Sequence, residues 1–138
     1  MQFQINYMAV AAAAVINMLV GYAWFGPLFG KAWLKTLGMS KDQMKAPKGA
    51  EMAKIYGVAV ISALIMAYVL VHFIEASGGA TSASTGAIIG FWAWLGFVAT
   101  TTLGGVLWEK KSLTWFLITA SYYLVVLVIN GALLAVWL

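Results

Sequence analysis

Cysteine is absent from the chain, and histidine occurs once, at His72. Disulfides, thiolate metal sites and cysteine nucleophiles are therefore excluded, as is a haem held by two histidines of one chain. Glu75 follows His72 by three residues and shares its helix face, so a proton or metal role for this pair is one interpretation. Two ligands do not complete a metal site unless an oligomer supplies more. We favour the other interpretation, an interfacial histidine with no special task.

Charged residues are also scarce, at 9% of the chain, whereas 64% is hydrophobic. An ordinary soluble domain carries roughly 25% charged residues, and so few charges cannot make a water-soluble surface. Lipid must therefore be the main solvent. The net charge of +4 does not indicate nucleic acid, because the lysines lie in loops and not on one face among aromatic side chains. With no nucleophile and base or metal set to assemble, we expect neither an enzyme nor a bound cofactor.

Four long segments are continuously apolar and contain no Lys, Asp or Glu. At 1.5 Å per residue each covers roughly 30 Å or more as a helix, enough to cross the hydrocarbon core. Strands of a membrane barrel would alternate in polarity, and these segments do not. The sequence predicts an all-α fold, a polytopic four-transmembrane-helix bundle in a single domain over residues 1–138. The predicted spans are about 5–25, 55–74, 87–108 and 113–137.

The lysines fix the predicted orientation. Six lie in the first loop (residues 26–54) and two in the third, namely Lys31, Lys35, Lys41, Lys45, Lys48, Lys54, Lys110 and Lys111. The second loop, residues 75–86, has no positive charge. By the positive-inside rule both termini lie outside and the lysine loops face the cytoplasm, where they would meet anionic lipid headgroups.

A short amphipathic interfacial helix is predicted in the first cytoplasmic loop, over about 27–37. Pro27 suits the first turn of a helix, and Phe29, Trp33 and Leu37 recur at i, i+4 and i+8. We favour a membrane-surface anchor over a gate or a partner-docking helix.

Small residues recur at intervals of four in three of the predicted spans. Because lipid is as apolar as the side chains, such residues mark close helix packing. They are Ala9, Ala13, Asn17 and Gly21 in the first span, Ala59, Ala63 and Ala67 in the second, and Gly86 and Gly90 in the third. Packing within one chain is favoured over a homodimer face, although both remain open. Four helices do not easily enclose a pathway, so we expect a homo-oligomer, a dimer or trimer.

Polar residues inside the spans fall into two predicted layers. The first lies about seven to nine residues, or roughly 10–14 Å, from the cytoplasmic ends; it comprises Asn17, Ser62, Thr101 and Ser121, with Tyr122 near that level. The second lies nearer the outer face and comprises Tyr68, Trp92, Trp94 and Asn130. One hypothesis makes the layers the lining of a cavity for a small ligand. The other, which we favour because no charged group joins them, is hydrogen bonding between helices or back to their own carbonyls.

One stretch, Trp24-Phe25-Gly26-Pro27-Leu28-Phe29-Gly30-Lys31, followed by Trp33 and preceded by Asn17 and Gly21, carries a resemblance. With the later Gly90-Phe91-Trp92-Ala93-Trp94 and a threonine-rich third span, it resembles a family of small bacterial four-helix membrane proteins of unknown function. The resemblance covers nearly the whole chain. It implies a bacterial cytoplasmic membrane and supplies no activity. The positions that it marks are Asn17, Trp24, Gly26, Pro27, Phe29, Trp33 and Trp92.

Two functional hypotheses follow. The leading one is a non-enzymatic membrane protein that binds or transports a small neutral or weakly polar solute through the polar layers. The alternative is a structural or accessory subunit that acts through its packing faces and its basic cytoplasmic loop.

Overall fold

The structure is a computed structural model that describes residues 3–38, 48–79 and 82–137. Every regular element in these ranges is a helix, and four are long and apolar enough to cross a membrane. This confirms the predicted all-α fold with four spans. The spans are Tyr7–Leu28, Ala50–Ala76, Ala83–Trp108 and Leu113–Val136. Lys41 and Lys45 of the first loop lie outside the described residues.

Two of the spans contain a π-helical turn. The first consists of α1 (Tyr7–Ala23) and a π-turn at Trp24–Leu28, and the short helix α2 (Gly30–Thr36) follows. The second is the single helix α3 (Ala50–Ala76). The third joins α4 (Ala83–Ala93) to α5 (Thr100–Trp108) through a π-turn at Trp94–Ala99. The fourth is α6 (Leu113–Val136).

Pro27 lies within the first π-turn and not in the first turn of the interfacial helix, where the sequence placed it. Proline has no N–H, so it cannot continue an α-helical hydrogen-bond ladder. The backbone hydrogen bond instead spans five residues in place of four: the Phe29 N–H donates to the Trp24 carbonyl oxygen at 2.9 Å. The interfacial helix therefore begins at Gly30, three residues later than predicted.

Helix α6 is the centre of the molecule. It contacts α1, α2, α3, α4 and α5, and its span is the most buried of the four, whereas the third span is the least buried. Three glycines allow the closest crossing, between α4 and α6. A side chain at Gly86 would overlap the Gly131 backbone, and one at Gly90 would overlap the Leu127 carbonyl. The Gly86 and Gly90 pair thus packs within the chain.

The first two spans meet through small residues as well. Ala9 and Ala13 of α1 and Ala67 of α3 are fully buried in one cluster, and Ala63 is buried too. Asn6 caps α1, because its Oδ1 accepts hydrogen bonds from the backbone N–H groups of Met8 and Ala9. Its Nδ2 donates to the Trp137 carbonyl at 2.9 Å.

That bond holds the start of the first span to the end of the fourth. The lysines that the structure describes, from Lys31 to Lys111, lie near the opposite ends of the spans.

Candidate functional site

Asn17 and Tyr122 are the two predicted polar residues that the fold brings together, across 105 positions of sequence. The Tyr122 hydroxyl donates to Oδ1 of Asn17 at 2.6 Å and lies 3.1 Å from the Asn17 backbone carbonyl oxygen. Both side chains are buried. The Asn17 Nδ2 lies 3.6 Å from the Met66 sulfur. A carboxamide and a phenol therefore form one hydrogen-bonded pair between α1 and α6.

The other members of the first layer do not join this pair. Ser62 and Thr101 are exposed on the outside of the bundle. Thr101 donates to the Phe97 carbonyl at 2.6 Å, and Ser121 donates to the Leu117 carbonyl, so each hydroxyl bonds its own helix. Because a lipid-facing hydroxyl has no water, the carbonyl four residues back is its nearest acceptor.

Threonines also close the second π-turn. Thr100 donates to the Gly96 carbonyl at 2.7 Å, and Thr101 adds a longer bond to Val98 at 3.1 Å. A π-turn shifts the backbone pairing by one residue and leaves a carbonyl without its usual partner. The two hydroxyls lie within hydrogen-bond distance of three carbonyl oxygens of the turn, those of Gly96, Phe97 and Val98.

The second predicted layer separates onto different surfaces. Tyr68 and Trp92 are exposed, whereas Asn130 is 2% exposed and donates from Nδ2 to the Ala13 carbonyl at 3.1 Å. Its Oδ1 has no hydrogen-bond partner within the described residues. The Trp94 indole N–H donates to the Ala120 carbonyl at 2.7 Å. Asn130 and Trp94 thus join α6 to its neighbours.

Trp24 makes a bond of the same kind as Trp94. Its indole N–H donates to the Ile118 carbonyl at 3.0 Å, two residues from the acceptor of Trp94. Each tryptophan is the first residue of a π-turn, and each lies in an Ala-Trp-x-Gly sequence, at residues 23–26 and 93–96. This repeat is visible in the sequence, although Trp24 was predicted as a family-motif position and Trp94 as a member of the second polar layer, without a link between them.

The family-motif stretch turns the chain from the first span into α2. The rings of Trp24 and Phe29 lie 4.8 Å apart, and those of Phe25 and Trp33 lie 5.0 Å apart. A residue larger than glycine at position 30 would force the backbone to shift, because a Cβ there would lie 2.7 Å from the Phe25 carbonyl oxygen. Gly26 and Pro27 are exposed within the turn. The motif is therefore a packed aromatic turn.

His72 and Glu75 are not joined by a hydrogen bond among those that the structure shows. The His72 Nδ1 lies 2.8 Å from the Tyr68 carbonyl oxygen and so carries the proton, and its ring packs against Phe3 and Tyr68. Within the described residues no three side chains of His, Asp or Glu come together as metal ligands.

A cleft of about 270 Å³ opens beside the Asn17 and Tyr122 pair. We call it the Asn17–Tyr122 cleft. It lies between α1, α3 and α6, in the half of the bundle nearer the lysines. Its lining residues are Asn17, Met18, Gly21, Tyr22, Phe25, Tyr56, Ala59 and Tyr122.

The lining of the cleft is aromatic and uncharged. Asn17, Gly21 and Phe25 recur every four residues and so share one face of the first span. Phe25 and Tyr122 meet edge to face, with ring centroids 5.1 Å apart. Phe25, Tyr22 and Tyr56 were not predicted as site residues, although the spacing of four residues from Asn17 through Gly21 was a signal for Phe25.

A second cleft, of about 250 Å³, lies between α3 and the third span. Its lining is entirely apolar and comprises Met66, Val69, Leu70, Phe73, Ala93, Phe97, Val98 and Leu127. Ligand sites combine apolar walls with a few placed polar groups. The Asn17–Tyr122 cleft has both and is therefore the better candidate site.

Comparison with known proteins gives a family and no activity. Neither the curated proteins nor the solved structures contain a match. Residues 8–135, nearly the whole chain, match the family described as "Protein of unknown function (DUF1761)", and this range includes all of the four spans except Tyr7 and Val136. The chain, with four helices long and apolar enough to cross a membrane, belongs to this family.

Proposed function

We propose that this protein binds a small, uncharged, weakly polar solute in the Asn17–Tyr122 cleft and performs no covalent chemistry on it. The observation that carries the proposal is the buried carboxamide and phenol pair at the wall of an aromatic cleft. Polar side chains inside a membrane are costly unless they are paired or functional. Here Asn17 and Tyr122 are hydrogen-bonded to each other, and both also line the cleft.

The lack of charge in the lining decides the class of solute. None of the eight lining residues is charged, so a charged ligand would lose its hydration without gaining a counter-ion. Four aromatic rings favour a flat, largely apolar ligand. Binding is the proposed activity, and transport of the same solute would need a second conformation that opens the cleft elsewhere.

A thermal-unfolding screen tests the proposal. The protein in lipid nanodiscs is heated with a panel of small uncharged solutes, beside two variants of α3. Ala59→Leu narrows the cleft, whereas Ala53→Leu makes the same change at an exposed position of α3 outside it. We expect at least one solute to raise the Tm of the wild type and of Ala53→Leu but not of Ala59→Leu. Equal shifts in all three proteins, or no shift with any solute, would contradict the proposal.

The gathering of the described lysines at one end favours a second candidate function. In this proposal the protein is a structural or accessory membrane subunit, and its basic end holds anionic lipid headgroups. Large exposed apolar faces would pack as a dimer or trimer of identical chains. An Asn17→Ala variant separates the two functions. Loss of solute binding with unchanged assembly supports the first, and loss of the oligomer supports the second.

The proposed location is the cytoplasmic membrane of a bacterium, with both termini outside the cell. Support comes from the asymmetric lysine loops and from the shared end of the first and fourth spans. The short helix α2, with Lys31 and Lys35 exposed, would then lie along the cytoplasmic surface.

A further inference from the structure

The Asn17–Tyr122 cleft contains a hydrogen-bond donor that is only weakly used. The Asn17 oxygen is already occupied, because the Tyr122 hydroxyl donates to it at 2.6 Å. The Asn17 nitrogen carries two hydrogens, and its one acceptor within the described residues is the Met66 sulfur at 3.6 Å. A thioether is a weak acceptor. The carboxamide therefore keeps at least one N–H for a ligand.

The contact with Met66 indicates which end of the carboxamide is the nitrogen. The Met66 sulfur can accept a hydrogen bond from an N–H group but has no hydrogen to donate to an oxygen, so the nitrogen faces Met66 and the oxygen faces the Tyr122 hydroxyl. Gly21 leaves this arrangement uncovered: even a methyl group there would come within 3.1 Å of the Tyr122 hydroxyl oxygen. The pair thus presents a donor and withholds its carboxamide acceptor.

The aromatic lining of the cleft determines what kind of group the ligand carries beside its hydrogen-bond acceptor. Phe25 and Tyr122 provide ring surfaces, and Tyr22 and Tyr56 are more exposed, at 78% and 54%. Aromatic faces also attract cations. A cation in this cleft, however, would meet the N–H end of the Asn17 dipole and would find no carboxylate in the lining.

We infer that the ligand is an uncharged planar ring that carries a carbonyl oxygen and enters from the lipid. Its carbonyl accepts a hydrogen bond from Nδ2 of Asn17, and its ring packs against Phe25. A cleft of about 270 Å³ lies just under the roughly 300–1,000 Å³ of drug-sized pockets, so the ligand has one or two fused rings. This inference rests on the proposed function and specifies its ligand class.

The test compares two probes with the same carbon skeleton, of which one carries carbonyl groups and the other carries none. Menadione is a two-ring quinone with two carbonyl oxygens, and 2-methylnaphthalene has the same ring system without them. The chain has no cysteine, so the quinone cannot form thiol adducts. Affinities are measured in nanodiscs at equal mole fraction of probe in the lipid, with empty nanodiscs as background. We expect menadione to bind about five- to tenfold more tightly, the effect of one added hydrogen bond.

Asparagine-selective ¹⁵N labelling locates the bond. The chain contains three asparagines, Asn6, Asn17 and Asn130, so three side-chain NH₂ signals are expected. Menadione should shift the Asn17 signal and leave those of Asn6 and Asn130 in place, while 2-methylnaphthalene should shift it much less.

An Asn17→Leu variant removes the donor and keeps a side chain of similar size. The Tyr122 hydroxyl retains the Asn17 backbone carbonyl as an acceptor at 3.1 Å. We expect the advantage of menadione to disappear while 2-methylnaphthalene binds as before. Asn130→Leu is the control, because it removes a buried carboxamide outside the cleft. The comparison of probes on the wild type stands even if neither variant folds.

The outcomes separate this inference from the proposed function. Equal binding of the two probes, or a menadione shift at Asn130 instead of Asn17, overturns the carbonyl inference and leaves the cleft as a site for other uncharged solutes. Absence of binding by both probes, when another solute raises the Tm of the wild type, overturns it as well. Absence of any binding by probes and panel overturns both.

Discussion

At the scale of single residues, the bond between Tyr122 and Asn17 ties α6 to the first span. A hydroxyl and a carboxamide buried in a low-dielectric interior depend on each other, because neither can turn to water when its partner is removed. Asn17 has a further contact with Met66, so three spans meet at one side chain. The stability of the cleft should therefore depend on a single hydroxyl group.

A Tyr122→Phe variant tests this dependence. It removes the hydroxyl, leaves Oδ1 of Asn17 without its donor, and should lower the free energy of unfolding by about 1–2 kcal/mol. Unfolding by SDS titration in mixed micelles measures the change. Tyr123→Phe is the matched control, because Tyr123 lies beside Tyr122 with ring centroids 4.8 Å apart but outside the hydrogen-bonded pair. An equal loss in both variants would show that the pair contributes nothing specific.

Polar residues predicted at the same depth have different hydrogen-bond partners in the structure, because they lie on different faces of their helices. Asn17 and Thr101 were predicted at one depth, and their depths follow from counting residues along the helix. Their directions do not, because each span is apolar around most of its circumference and gives no clear amphipathic signal. Thr101 faces outward and bonds its own helix, whereas Asn17 faces α6.

At the scale of helices, close contact of backbones holds α4 to α6. Lipid offers apolar side chains as favourable a contact as protein does, so association depends on packing that lipid cannot match. Glycines supply it where α4 crosses α6, and the indole bonds of Trp24 and Trp94 add two polar links to the same helix.

Gly90→Ala should disrupt this crossing. The added methyl group would overlap the Leu127 carbonyl, which is backbone and cannot rotate away, so the helices must separate. We expect a loss of about 1–3 kcal/mol in the free energy of unfolding. Gly104→Ala, in the same span, is the control, because the one atom that a Cβ there would approach is a Trp108 ring atom of its own helix, at 3.9 Å. That variant should be neutral or slightly stabilised, since alanine favours helix.

The opposite result would bear on the proposed homo-oligomer. If Gly90→Ala kept its stability but lost self-association, the glycines would lie between chains and the crossing within one chain would be wrong.

At the scale of the whole molecule, the proposed orientation puts the start of the first span and the end of the fourth on one side of the membrane. The bond from Asn6 to the Trp137 carbonyl draws these ends together, and the described lysines lie near the other end. The lack of cysteine makes the arrangement simple to test, because any introduced thiol is the sole target for a maleimide.

Ala76→Cys and Glu109→Cys place thiols at exposed positions near the two opposite ends of the bundle. Neither change alters the lysine count that sets the orientation. In intact cells a membrane-impermeant maleimide should label Ala76→Cys and should label Glu109→Cys only after permeabilisation. The cysteine-free wild type gives the background. The reverse pattern would invert the proposed orientation, and labelling of both thiols from outside would contradict four spans.

The sequence by itself determined the number of spans, their approximate bounds and the helical fold. The reason is local: a long uncharged apolar segment is poorly solvated by water, and in lipid its backbone groups must bond within the segment. The interfacial helix begins later in the structure than predicted, because the missing N–H of Pro27 produces a π-turn before it.

Only the tertiary structure decided which residues meet. Asn17 and Tyr122 lie 105 positions apart, and Gly90 lies far from Leu127, so no local pattern relates them. The faces that pack are chosen by backbone approach and by buried hydrogen bonds, which depend on all the spans at once. The cleft exists because the first, second and fourth spans converge around one carboxamide.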